Sequence, residues 1–126
     1  MTPEQAVKWL ILSLNAEWTD STLPENPSGE EIDDLWDEAE ELWDVISETR
    51  GGDVETNIDA DYSRHYESKS VASRLPNGQW VGWTYWYGGG KHGEPEAIDW
   101  MNKAYFLDCE EKEVTVIQRI FTKKGE

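Results

Sequence analysis

The sequence predicts an α+β domain in which two N-terminal helices pack on one face of a four- to five-stranded, mainly antiparallel sheet. Apolar residues recur at helical spacing as far as Thr49 and at every second residue from Val54, with Gly51-Gly52 between the two periods. Strand-like segments then follow one another through short turns, as antiparallel neighbours do. At 126 residues the chain is long enough for one compact domain and too short for two. Residues 1–126 therefore read as a single domain, with a helical part at 1–52 and a sheet part at 53–126.

The first helix opens at Thr2-Pro3-Glu4-Gln5, where Thr2 caps, Pro3 takes the first helical position and Gln5 closes a capping box. Ala6, Trp9, Leu10 and Leu14 fall at helical spacing, and the helix should end near Ala16. Glu17 to Gly29 is polar and holds Pro24 and Pro27, so it reads as a loop. Ser28 and Glu31 form a second capping box for one long helix from Gly29 to about Thr49. Its apolar stripe is Ile32, Leu35, Trp36, Ala39, Leu42, Trp43 and Ile46. Gly51-Gly52 should stop it.

In the second part, Val54, Thr56, Ile58, Ala60 and Tyr62 alternate with Asp53, Glu55, Asn57, Asp59 and Asp61, the pattern of a half-buried strand. Tyr66 to Leu75 and Gln79 to Tyr87 read as strands joined by the turn Pro76-Asn77-Gly78. Gly88 to Pro95 is a loop, and Glu96 to Met101 a single helical turn. Ala104 to Cys109 and Val114 to Phe121 should be the last two strands, connected through Glu110-Glu111-Lys112.

The net charge of −16 is distributed unevenly. Residues 1–61 hold 18 acidic and 2 basic side chains (Lys8 and Arg50), whereas residues 62–126 hold 9 of each. That balance argues against nucleic acid or an anionic membrane as a direct partner. No apolar run approaches the roughly 18 residues of a membrane span, and the first residues lack a signal-peptide pattern. The lone cysteine, Cys109, fits a reducing, cytoplasmic setting.

The charge is densest between Glu30 and Asp44, where nine acids (Glu30, Glu31, Asp33, Asp34, Asp37, Glu38, Glu40, Glu41 and Asp44) occur without a Lys or Arg. On a continuous helix this is roughly one charge per 2.5 Å, against about one per 1.7 Å along duplex DNA. Eleven like-charged pairs at i, i+3 and i, i+4 would cost about 2–5 kcal/mol before screening. An ordinary solvated face mixes in lysines and avoids that cost. The alternative to a merely solvated face is a surface presented to a basic partner, continued by Asp53, Glu55, Asp59 and Asp61. These last acids do not form a calcium loop. Counted from Asp53, the positions needing Gly and Glu hold Ile58 and Arg64.

Eight tryptophans are many for this length. Trp9, Trp36 and Trp43 lie on helical stripes and should be core. On the strand Trp80 to Tyr87, Trp80, Thr84 and Trp86 share one face with Gly82, while Val81, Trp83, Tyr85 and Tyr87 share the other. Helices cover only one of these faces. The other is available for a second apolar layer, a homodimer contact, or a ligand such as a sugar ring, with His92 in the adjoining glycine loop.

Nothing in the chain marks a catalytic centre. His65, His92 and Cys109 are too few and too scattered for a zinc site, and Cys109 has no nucleophile signature. No phosphate loop, nucleophile elbow or dinucleotide fingerprint occurs. The expectation is a non-enzyme without cofactor or metal: an acidic module binding a basic protein, in its sharpest form a DNA mimic that inhibits a nucleic-acid-binding protein. The aromatic strand as ligand-binding or homodimer surface is the second expectation.

Overall fold

The computed structural model describes residues 1–90 and 93–125. Three helices precede a four-stranded sheet: α1 (Pro3–Trp18), α2 (Gly29–Glu38), α3 (Trp43–Arg50), β1 (Val54–Glu55), β2 (Glu67–Arg74), β3 (Trp80–Tyr87) and β4 (Tyr105–Leu107). Short 3-10 turns at Pro95–Ala97 and Met101–Lys103 lie between β3 and β4. The sheet order is β1-β2-β3-β4, and every neighbour is antiparallel. Among the described residues no helix is long and apolar enough to cross a membrane.

Local chemistry sets both helix starts. Thr2 and Gln5 exchange the two bonds of a capping box, and Ser28 and Glu31 do the same. Each cap contributes roughly 0.5–2 kcal/mol. Because α1 packs against α2, α3 and the sheet, its burial extends round the cylinder, taking in Val7 and Ile11 as well as Ala6, Trp9 and Leu12. Leu10 and Leu14 pack at the border of this core.

The second helix departs from the expected single element. It stops at Glu38, Ala39 is extended (φ −76°, ψ 143°), and Glu41 lies in the left-handed region at φ 56°. The apolar stripe alone would carry a helix through. Interrupting it removes five of the eleven like-charged pairs, worth about 1–2.5 kcal/mol, against about 1–2 kcal/mol for a non-glycine residue at positive φ. Burial decides the rest. The break re-aims the following turn so that Leu42 and Val45 enter the core beside Ile32, and Trp43, expected inside, is 70% exposed.

The hairpin β2–β3 supplies the floor. Eight cross-strand pairs run from Glu67↔Tyr87 to Arg74↔Trp80. The turn is closed by Gly78 N donating to Leu75 O (2.9 Å) and Leu75 N to Gln79 O (2.7 Å), with Gly78 at φ 90°. Val71, Val81 and Trp83 face the helices. The Trp83 indole N–H donates to Arg50 O (2.8 Å), and its ring lies 5.2 Å from Trp100, tying the end of α3 to the floor.

Of the expected strands, one is cut short and one is absent among the described residues. The alternation from Val54 to Tyr62 yields only Val54–Glu55, with both residues exposed. Residues 57–62 instead fold across the sheet face opposite the helices, where the Asp61 amide donates to Thr84 Oγ1 (3.5 Å) and Ser68 Oγ donates to Asp61 O (2.6 Å). This path gives partners to the Thr84 and Ser68 hydroxyls, while the buried Ser70 Oγ on the same face has none among the described residues. Val114 to Phe121, the other expected strand, lies in a segment (108–125) with no helix or strand and no buried residue. The sheet therefore has four strands, the lower end of the expected four to five.

Candidate partner-binding surface

The acidic surface is built by α2, the linker 39–42 and the start of α3. The capping box at Ser28 starts α2 with Glu30 and Glu31 in its first turn, where carboxylates complement the helix N-terminus. Glu30, Glu31, Asp34, Asp37, Glu38, Glu40, Glu41 and Asp44 are all exposed, and none has an ion-pair partner among the described residues.

Asp33 is the exception. Its Oδ2 accepts from Gln5 Nε2 (2.8 Å), and its Oδ1 lies 3.3 Å from Lys8 Nζ. The Gln5 bond, followed by the Lys8 charge and hydrogen bond, holds this carboxyl below the usual carboxylate range. Asp33 fastens α2 to α1 and is not available to a partner. Lys8 also lies 5.6 Å from the Trp36 ring.

The other cation of the first half is engaged too. Arg50 donates from Nη1 to Trp86 O (2.6 Å) and stacks 4.7 Å from the Tyr85 ring. Both positive charges among residues 1–61 thus serve internal contacts, which leaves the exposed acids uncompensated. Composition shows that these cations are scarce; only packing shows how they are used.

The second acidic run does not join the first. Asp53 sits at the end of α3, beside Glu48 and the α1 residues Leu10 and Leu14. Its amide is held by Ala72 O (2.9 Å) and Ser73 Oγ (3.1 Å). Glu55 is in β1 at the sheet edge, and Asp61 lies against the face opposite the helices. Asp59, in the same loop, is exposed. The sheet therefore separates Asp61 from the α2–α3 acids, whereas Glu55, paired with Val71, stays at the β1 edge on the helix side.

On the aromatic strand the helix-covered face is Val81 and Trp83, with Tyr85 half-buried at its border. Tyr85 and Tyr87 stack at 5.6 Å, with Lys69 within 6 Å of both rings. The opposite face is only partly covered. Thr84 and Trp86 are 9% and 8% exposed, and Trp80 is half-buried with Arg74 4.9 Å over its ring. Trp80 also lines a groove of about 400 Å³ with Val54, Ile58 and Leu107. His92 lies outside the described residues.

One candidate eluded sequence reasoning: Trp43, flanked by Glu41 and Asp44 and standing over a small cleft shared with Ile46, Arg50 and Glu96. Its place on the apolar stripe concealed it. Positive φ at Glu41 exposes it, and glutamate gives no warning of that conformation. Among the described residues no three His, Cys, Asp or Glu side chains converge as metal ligands would. Compared with family models, curated proteins and solved structures, the chain matches none.

Proposed function

We propose that the chain is a small interaction protein that binds a basic surface of a partner protein through the α2–α3 segment, occupying a nucleic-acid-binding site in place of DNA. The observation that carries this reading is the set of eight exposed carboxylates between Glu30 and Asp44 without an ion-pair partner among the described residues. Six acids in the ten residues of α2 amount to roughly one charge per 2.5 Å, the same order as duplex DNA. The like-charged pairs that remain within α2 cost about 1–3 kcal/mol before screening. Solubility alone does not require that cost, since interspersed lysines would avoid it.

With Asp61 on the opposite face of the sheet, the site narrows to the α2–α3 edge. Trp43 supplies what charge alone lacks, an exposed aromatic anchor within the acidic field. Charge steers the encounter and makes affinity fall with salt, while the indole gives a desolvated contact that salt scarcely affects.

The test is capture from cell lysate by the wild-type chain beside a variant with Asp34, Asp37, Glu38 and Glu41 changed to Asn and Gln. A nucleic-acid-binding protein held by wild type alone, and displaced by salt and by added duplex DNA, is the expected outcome. Equal capture by both chains, or none by either while both remain folded, would reject the reading.

A further inference from the structure

Where α3 ends against α1 and the sheet, the fold leaves a cavity of about 260 Å³ lined by Leu10, Leu14, Glu48, Thr49, Asp53 and Ser73. Its floor is apolar, because Leu10 and Leu14 lie one turn apart on α1, half-buried at the border of the core. Its rim is acidic. Glu48 is in the last turn of α3, where the helix dipole already favours positive charge. Asp53 follows the Gly51-Gly52 stop, and its amide donates to Ala72 O (2.9 Å) and Ser73 Oγ (3.1 Å), which fixes its backbone. Among the described residues neither carboxylate has an ion-pair partner, and no base lines the cavity. Lys8 and Arg50, the two cations of residues 1–61, are engaged elsewhere, with Asp33 and with Trp86 O.

Two hydroxyls distinguish this place from a plain acidic patch. Thr49 Oγ1 is buried, yet it has no hydrogen-bond partner among the described residues. Buried polar atoms are normally paired, so one without a partner calls for an occupant. A helical threonine has two χ1 rotamers, and turning this hydroxyl to a donor in the cavity breaks no existing bond. Ser73 is only 3% exposed, and its Oγ, which accepts from the Asp53 amide, keeps a second lone pair. The cavity thus combines charged and neutral acceptors with an aliphatic floor. That combination selects its occupant. Among the described residues no three His, Cys, Asp or Glu side chains converge, so a bare metal ion lacks ligands. A primary ammonium has three N–H donors to place, and an alkyl stem can lie on the leucines. At about 260 Å³ the cavity falls below the roughly 300–1,000 Å³ of drug-sized sites, so the occupant is small.

We infer that this cavity binds a primary ammonium on an unbranched alkyl stem. Glu48 and Asp53 neutralise the charge, the Thr49 and Ser73 hydroxyls accept from its N–H groups, and Leu10 and Leu14 cover the stem. A free alkylamine and a lysine side chain both present this chemistry. The net charge of −16 concentrates cations around the whole acidic half, whereas the leucine floor and the two hydroxyls localise this one. Neither Glu48 nor Asp53 belongs to the Glu30–Asp44 set, so the inference does not rest on the proposed partner site.

The test is a titration of the isotope-labelled full chain with n-butylammonium chloride at fixed ionic strength, followed through its backbone amide resonances. Shifts should saturate at millimolar concentration and centre on Thr49, Gly52 and Asp53. n-Butanol keeps the stem without the charge and should bind at least about tenfold more weakly, since it loses the charge-assisted bonds. Glu48→Gln with Asp53→Asn should weaken the ammonium similarly. Thr49→Val should weaken it several-fold without lowering the thermal midpoint, because that hydroxyl makes no bond in the free protein. Nα-acetyl-lysine amide separates the two sources. Tighter binding than n-butylammonium assigns the cavity to a lysine side chain, and equal or weaker binding assigns it to a free alkylamine. Shifts that do not saturate, or that fall equally on the amides of Glu30 to Asp44, overturn the inference. Equal binding of n-butanol, or undiminished binding by the double variant, does the same. Undiminished binding by Thr49→Val overturns the part given to its hydroxyl.

Discussion

The α2–α3 segment and the arm at 113–121 invert the usual relation between composition and burial. The first carries nine acids in fifteen residues, yet it places Ile32, Leu42 and Val45 in the core. The second is rich in valine and isoleucine, yet it buries nothing. Apolar side chains alone do not pull a segment inward; a surface must be within reach to receive them. For α2 that surface is α1, held in place by Asp33, Gln5 and Lys8. For residues 113–121 no such surface is met: after Leu107 the chain runs along the groove beside Val54 and Ile58 and then stays exposed.

Substitutions that break this contrast directly have the largest effects. Ile32→Ala should cost about 2–5 kcal/mol in urea unfolding, because a fully buried side chain leaves a cavity where α2 packs on α1. Ile117→Ala, at an exposed position, should stay within about 0.5 kcal/mol. Equal costs would mean that the arm packs on its own body. The base of the arm comes next. A Cβ at Gly82 would meet Leu107 Cδ1 at 2.8 Å and Val71 O at 3.1 Å, so Gly82→Ala should cost about 1–3 kcal/mol by forcing β4 off β3.

The acidic side is sharpened by Asp33→Asn. Asp33 titrates below its unfolded value, so its contribution is present above the usual carboxylate range and disappears as pH falls through the lowered folded value. Wild type should therefore lose stability relative to Asp33→Asn below about pH 4, and the two curves should run parallel near neutrality. The difference between the two acid titrations checks this and cancels the relief of repulsion among the other acids. Smallest is Glu41→Asn, which keeps a polar side chain but suits positive φ better. Thermal unfolding should show a gain of about 0.5–1 kcal/mol, including the removal of one negative charge from a crowded segment.

Elements with local causes were legible in the residues. Thr2-Pro3-Glu4-Gln5 and Ser28 with Glu31 cap the helices they mark, and Pro76-Asn77-Gly78 turns the hairpin it predicts. The strand Trp80–Tyr87 likewise divides into the two faces that its alternation requires. The failures share a cause. The apolar stripe across Ala39 and Leu42 could not reveal that charge and core fit would break the helix. The alternation from Val54 to Tyr62 could not reveal that Asp61 bonds to Thr84 across the sheet. For the acidic site, sequence located the carboxylates but misjudged three of its features. It counted Asp33 as free, buried Trp43, and joined to the surface Asp61, which lies on the other face of the sheet.

By itself the sequence determined the α+β order, the helix caps, the hairpin and the one-sided charge, because each follows from neighbouring side chains and the periods of the backbone. Tertiary structure alone decided where the charge is free and which apolar segments are covered. Those outcomes depend on contacts between residues such as Gln5 and Asp33, or Arg50 and Trp86, separated by 28 and 36 positions. No local pattern encodes such pairs, since what each side chain meets is fixed only when the elements pack.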